Sequence, residues 1–232
     1  MRILAIDSSS NPASAAIVDG EKIIAEFFIN TRFTHSQTLM PMVKNVLDIS
    51  ETKLEDIGLV AVTKGPGSFT GVRIGVASAK GIAMPGDIPC VGVSALEAIA
   101  YNYVNTEDKI LCACMDARCG QVYNALFEIT NGKVNRLTED RTLLIDDLKA
   151  EMENFEGAFY LAGDGALLCG EALREAVTAP ENLRYQRASS VAFAAKKAFE
   201  EGRAVSAGEL QPLYLQLPQA QRELNAKRTT NT

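Results

Sequence analysis

The chain has 232 residues, 47% of them hydrophobic, a net charge of −6 and five cysteines. That length carries one large or two small domains around a real core, and the acidic balance excludes a general electrostatic grip on nucleic-acid backbones. With no run of about 18 apolar residues, an amino terminus that goes straight into strand-like sequence, and an odd cysteine count without framework spacing, we expect a cytoplasmic protein with no membrane span, no leader and no disulfides.

In chain order, Arg2 to Asp7 reads as a strand ending in an acid, followed by a Ser/Asn/Pro turn and two further strands, Ser14 to Val18 and Lys22 to Ile29, joined at Asp19-Gly20. A helix is predicted over about 35 to 49, opened by a capping box at Thr34-His35-Ser36-Gln37 and bent in its first turns by Pro41. Leu59 to Thr63 reads as a buried strand, broken by Gly65-Pro66-Gly67, and Ser68 or Thr70 can cap the next helix, about 70 to 84. Ser94 to Glu97 is a second capping box, opening a helix over about 94 to 103.

The second half echoes the first. Lys109 to Met115 runs into Asp116, a turn holds Arg118 and Gly120, and Gln121 to Ile129 alternates like an antiparallel strand leading to Asn131-Gly132. Helices are predicted over about 145 to 155, 166 to 177 and 189 to 201. A hairpin meander followed by alternating helices and strands, repeated, predicts an α/β protein of two subdomains, 1–105 and 106–217, with a polar, mobile tail over 218–232. Arg222, Lys227 and Arg228 in that tail could touch nucleic-acid phosphates, and loose charges of this kind are ordinarily only solvated.

The run from Lys64 to Gly81 carries the sharpest signal. Glycine inside a helix costs about 1 kcal/mol relative to alanine, so Gly71 and Gly75 imply a close approach. With Ala79 they form a flat strip at four-residue spacing, beside Val72, Val76 and Ala83. The earlier helix, with Leu39, Met40, Met42, Val43, Val46 and Leu47, is more apolar than one buried stripe demands. Both helices can be read as simply buried in the domain or as faces for a partner.

Other candidates each carry two readings. Asp7, with Ser8, Ser9 and Ser10, either caps a turn or stands near a bound phosphate. Gly163-Asp164-Gly165 is either a tight strand-to-helix turn or a close approach to a nucleoside in a cleft. Gly65-Pro66-Gly67-Ser68 lacks the GK[ST] ending of a P-loop, because Lys64 precedes the glycines. Cys112, Cys114 and Cys119 lack a fourth metal ligand and read as strand packing. A single histidine, His35, with Thr31 and Leu39 four residues away on either side, cannot form a His-x-x-x-His metal pair. No tightly held metal is expected.

The duplicated meander is the pattern of the actin, Hsp70 and sugar-kinase (RNase H-like) superfamily, in which mixed sheets flanked by helices hold nucleotide between two halves. Within it, the run GPGSFTGVRIGVASAKGIA, with ILAIDSSS, HSQTLMP at 35 to 41 and MDARCGQVYNALF at 115 to 127, closely resembles the bacterial TsaB (YeaZ) family. Cys119 and Gln121 depart from that family's DARRGEVY pattern and replace a basic and an acidic residue. The resemblance implies a non-catalytic cytoplasmic subunit in the synthesis of threonylcarbamoyladenosine, the modified base beside the anticodon of tRNAs reading codons that begin with A. Its implied partners are the catalytic paralog TsaD and the ATPase TsaE, with a homodimer when alone and tRNA met only through the complex. The implied interface is Leu39, Met42, Val43, Val46, Phe69, Gly71, Val72, Gly75, Val76 and Ala79, so that Gly75→Leu would abolish pairing and leave the monomer folded. No cofactor is required; weak nucleotide binding would involve Asp7, Ser8, Gly163 and Asp164. An ATP-dependent small-molecule kinase using Asp7 is the alternative, and a metallopeptidase is made improbable by the lone histidine.

Overall fold

The computed structural model describes residues 1–153 and 159–216. The tail from 218 onward, with Arg222, Lys227 and Arg228, therefore lies outside the described residues, as do the last two positions of the helix predicted over 145 to 155. The first lobe opens with the expected meander: β1 (Arg2–Asp7), β2 (Ala13–Asp19) and β3 (Lys22–Ile29) are antiparallel neighbours. Strands β4 (Ile57–Gly65) and β5 (Cys90–Ser94) add in parallel, giving the order β3-β2-β1-β4-β5. Between them run α1 (His35–Ile49) and α2 (Phe69–Ala83), and α3 (Ala95–Tyr101) follows β5.

Local chemistry sets the helix starts where the motifs placed them. The Gln37 side-chain oxygen accepts from the Thr34 amide at 3.3 Å, Ser68 Oγ from Gly71 N and Ser94 Oγ from Glu97 N. Each cap satisfies an amide that the first turn leaves without a partner.

The second lobe repeats the scheme with β6 (Lys109–Arg118), β7 (Gln121–Thr130), β8 (Lys133–Arg136), β9 (Arg141–Leu144), β10 (Phe159–Ala162) and β11 (Val177–Thr178). Its path is β11-β10-β6-β7-β8, with β9 also on β7. Helices α4 (Ile145–Met152), α5 (Ala166–Ala172) and α6 (Glu181–Arg184) complete it, and α7 (Ala188–Glu200) follows. The helix expected over 166 to 177 is shorter than predicted: it ends at Ala172, and the β-branched pair Val177-Thr178 joins β10 as a parallel edge instead.

Side-chain alternation divides each sheet between two cores. On one side of the first sheet, Leu4, Ile6, Val60 and Val62 pack under α1 and α2. On the other, Ile3, Ala5, Leu59 and Ala61 meet α7, so that this helix closes the first lobe. Helix α3 packs Leu96 and Ile99 on Leu111, Ala113 and Phe127 of the second sheet, whose far side takes α4 and α5. The architecture is two α/β lobes, each a mixed sheet flanked by helices, as the duplicated meander predicts. Among the described residues no helix is long and apolar enough to cross a membrane.

Candidate functional site

The glycine-rich run fastens α2 onto the loop between β1 and β2. A Cβ at Gly67 would lie 2.1 Å from the Ser9 carbonyl oxygen, and one at Gly71 would lie 2.1 Å from that of Ser8. Ser68 N donates to Ser9 O at 2.7 Å, and Ser8 Oγ donates to Gly71 O at 2.9 Å. Any side chain at these two glycines would drive the helix start off the loop. Gly75 continues the contact, since a Cβ there would meet Ser8 Oγ at 2.7 Å and Val62 at 3.4 Å.

The strip therefore faces inward, which corrects the interface expected from the sequence. Leu39, Met42, Val43, Val46, Val72, Val76 and Ala79 are 0–6% exposed and belong to the first lobe's own core, and Gly71 and Gly75 are buried beside them. Phe69 is half-buried, with the Arg73 guanidinium 3.8 Å above its ring and the Tyr214 ring 4.9 Å away. The close approach read from glycine spacing is real, but its partner is this chain. Gly75→Leu would break the monomer rather than spare it.

The opposite side of the same two helices is open and apolar. Met40 (46% exposed) and Leu54 (45%) stand beside a groove of about 810 Å3 whose lining includes Ala77, Gly81 and Ile82. A Cβ at Gly81 would meet nothing within 4 Å. Phe33, just before α1, is 69% exposed. Most of the groove's lining is apolar or glycine.

Between the lobes lies a second cavity of about 460 Å3, walled by Ser9, Ser10, Asn11 and His35 on one side and by Asp116, Arg118 and Asp164 on the other. A strap over residues 213–216 forms a third wall: Leu213 N donates to Lys64 O, Tyr214 accepts from Arg73 Nε at 2.8 Å, and Gln216 reaches Gln121 at 3.0 Å. Neither this strap nor the fully buried Gln186 carried a motif, because each works through partners far away in sequence.

Of the four residues expected at a nucleotide cleft, only Asp164 lines this cavity. Burial pushes its carboxyl up to about 6, against the bond from the Asp116 amide at 3.0 Å and with the Asp116 charge adding to the rise. Gly163, at φ +107°, is pressed on Cys114 O and serves the tight turn. Asp7 is completely buried, with Oδ1 accepting from Ser9 N, Ser9 Oγ and Thr63 Oγ1. Ser8 is spent on α2, while Ser10 is held by Gln186 and by His35, whose Nε2 lies 2.7 Å from Ser10 O. The nucleotide that the superfamily implies thus finds a loop whose hydroxyls already have protein partners. These residues do not fit a phosphate cradle.

Cys112, Cys114 and Cys169 lie in the second lobe's core, whereas Cys119 is exposed in the β6–β7 turn. Hydrogen bonds to Cys112 and Cys169, together with burial, push the Cys114 thiol up, so it is not a poised nucleophile. Among the described residues no group of three or more His, Cys, Asp or Glu is placed to hold a metal ion.

Known proteins resemble this chain along most of its length. The family model described as TsaD, tRNA N6-adenosine threonylcarbamoyltransferase, matches residues 22–223. The tRNA threonylcarbamoyladenosine biosynthesis protein TsaB of Escherichia coli (strain K12) is 32% identical over 232 residues, covering 98% of this chain and 100% of the relative. Its counterpart from Bacillus subtilis (strain 168) is 36% identical over 168 residues, covering 72% and 73%. A crystal structure of a Pseudomonas aeruginosa protein described as similar to peptidase YEAZ superposes with a TM-score of 0.81 at 25% identity, covering 93% of this chain and 99% of that one. With the inward-facing glycine strip and the two-lobed fold, these likenesses place the chain in the TsaB (YeaZ) family.

Proposed function

We propose that this protein acts in tRNA modification as an accessory subunit, needed to form threonylcarbamoyladenosine beside the anticodon but performing no chemistry alone. It docks on the catalytic paralog TsaD through the outer face of α1 and α2, and the ATPase TsaE joins the pair. The observation that carries this reading is the open apolar groove around Met40, Ala77 and Gly81, on helices whose inner faces are already packed. A second copy of the chain covers the same groove when the paralog is absent. With a net charge of −6, the chain meets tRNA only through the complex.

The kinase alternative is disfavoured by Asp7, which is shut inside the lobe, and by serines bound to protein atoms. No cofactor is needed. A nucleotide entering the interlobe cavity faces the carboxylates Asp116 and Asp164 and binds only weakly.

The test is co-purification with the paralog and an assay of tRNA modification with and without this chain. Ala77→Arg and Gly81→Arg, both pointing outward, are expected to abolish pairing and modification with an unchanged melting temperature. Full pairing by both variants would refute the docking face. Modification by the paralog alone at the undiminished rate would refute the accessory role.

A further inference from the structure

We propose that Asn131 is a site of spontaneous deamidation, and that its aspartyl and isoaspartyl products loosen a turn that braces the segment between the two lobes. This goes beyond the docking function and stands independently of it. The observations meet at the tip of the β7–β8 hairpin.

Thr130 pairs with Lys133 in the ladder, so the loop is Asn131 and Gly132 alone. Both are left-handed, at φ +50° and +70°, as a two-residue hairpin loop demands and as Asn-Gly supplies at least cost. Both are exposed, and a Cβ at Gly132 would meet only Val104 O, at 3.5 Å. No other asparagine of the chain precedes a glycine.

The nucleophile is the Gly132 backbone nitrogen. Among the described residues it donates to no acceptor, and no side chain shields it. The Asn131 carboxamide is held by one long contact, from Nδ2 to Thr130 Oγ1 at 3.5 Å. Strand β8 is a four-residue edge with Lys133 and Asn135 exposed, so the turn opens locally while the lobe stays folded. Once hydroxide removes its proton, the Gly132 nitrogen attacks Asn131 Cγ. A bond forms between them, the Cγ–Nδ2 bond breaks, and Nδ2 takes a proton from water and leaves as ammonia. Water then opens the cyclic imide at either carbonyl, giving aspartate or isoaspartate. The net change is one water taken up and one ammonia released.

The same turn is a brace. Asn131 N donates to Asp108 Oδ1 and Thr130 Oγ1 donates to Asp108 Oδ2, both at 3.0 Å. Asp108 and Val104 belong to the segment 102–108, which carries the chain from α3 in the first lobe to β6 in the second. A carboxylate at position 131 sets a second negative charge beside Asp108, where Glu107 adjoins, and like charges this close repel. Of the neighbouring cations, Lys109 has its ammonium 4.3 Å from the Tyr160 ring centre, and Lys133 is exposed where water screens it. The isoaspartyl product also lengthens the backbone by one carbon, which a two-residue loop cannot absorb.

The test is to age the full chain at pH 8 and 37 °C and follow its proteolytic peptides by mass spectrometry, with isoaspartate methyltransferase labelling to separate the two products. The peptide containing Asn131 is expected to gain one mass unit several-fold sooner than those containing the exposed Asn45 and Asn105, with fragment ions placing the change at 131 and not at the buried Asn124. Hydrogen exchange at the residue 131 amide is expected to be faster in the aged chain and in Asn131→Asp than in the fresh parent. If Asn45 or Asn105 converts as fast as Asn131, the site is wrong. Unchanged exchange at residue 131 in both the aged chain and Asn131→Asp would show that the products leave the brace intact and overturn the second half of the proposal.

Discussion

Replacing Gly71 with alanine isolates the contact that fastens α2 to the β1–β2 loop. In an ordinary helix the change would stabilise by about 1 kcal/mol. Here the new methyl would lie 2.1 Å from Ser8 O, a backbone atom that cannot swing aside, and 3.1 Å from the His35 ring. Forced overpacking costs about 1–3 kcal/mol, and displacing the helix start also strains the Ser8 Oγ to Gly71 O bond, worth about 1 kcal/mol. The expected net loss is about 2–4 kcal/mol, which for a chain of this size lowers the melting temperature by about 5–15 °C. Gly81→Ala is the matched control, since nothing lies within 4 Å of its added carbon, and it should be neutral or slightly stabilising. Thermal unfolding followed by circular dichroism measures both. Equal melting temperatures for Gly71→Ala and Gly81→Ala would refute the inward reading of the glycine strip.

Two further outcomes are expected. Asp164 has a carboxyl raised from 3.8 to about 6 in the folded chain, so the folded state binds its proton more tightly than the unfolded state does. Its contribution is therefore fully present below pH 4 and lost as the pH rises through 6, by about 3 kcal/mol at most given its partial exposure. Asp164→Asn should abolish that loss, and denaturant midpoints of the two proteins at pH 4 and pH 7.5 will show parallel behaviour if the assignment is mistaken. Tyr214→Ala removes the bond from Arg73 and the ring contact with Phe69, at a cost of about 1–2 kcal/mol. It should speed hydrogen exchange at the Leu213 amide, which donates to Lys64 O; unchanged protection there would show that the strap holds without Tyr214.

Much of the fold was legible because its signals are local. The meander from Arg2 to Ile29, the capping residues Thr34, Ser68 and Ser94, and the helix starting near Phe69 all rest on neighbours within a few residues. The residues expected at an interface are core residues for a physical reason. Leu39, Met42, Val43 and Val46 fall at the 3.6-residue spacing of a single stripe, and such a stripe belongs to the chain's own core. The open face consists of what lies off that stripe, Met40 and Ala77 among them, and small or isolated apolar residues carry no periodic signal. Glycine spacing announced a close contact but contains nothing to say whether the other backbone is foreign. The bond from Gln186 to Ser9 joins residues 177 apart in sequence, and no reading of either neighbourhood alone could reveal it.

The weld between the β1–β2 loop and the start of α2 has a consequence for association. A helix pair clamped at one end to the sheet presents its outer groove in a single orientation before any subunit arrives. Little ordering entropy is then lost on encounter, so even a modest apolar footprint can yield a durable complex.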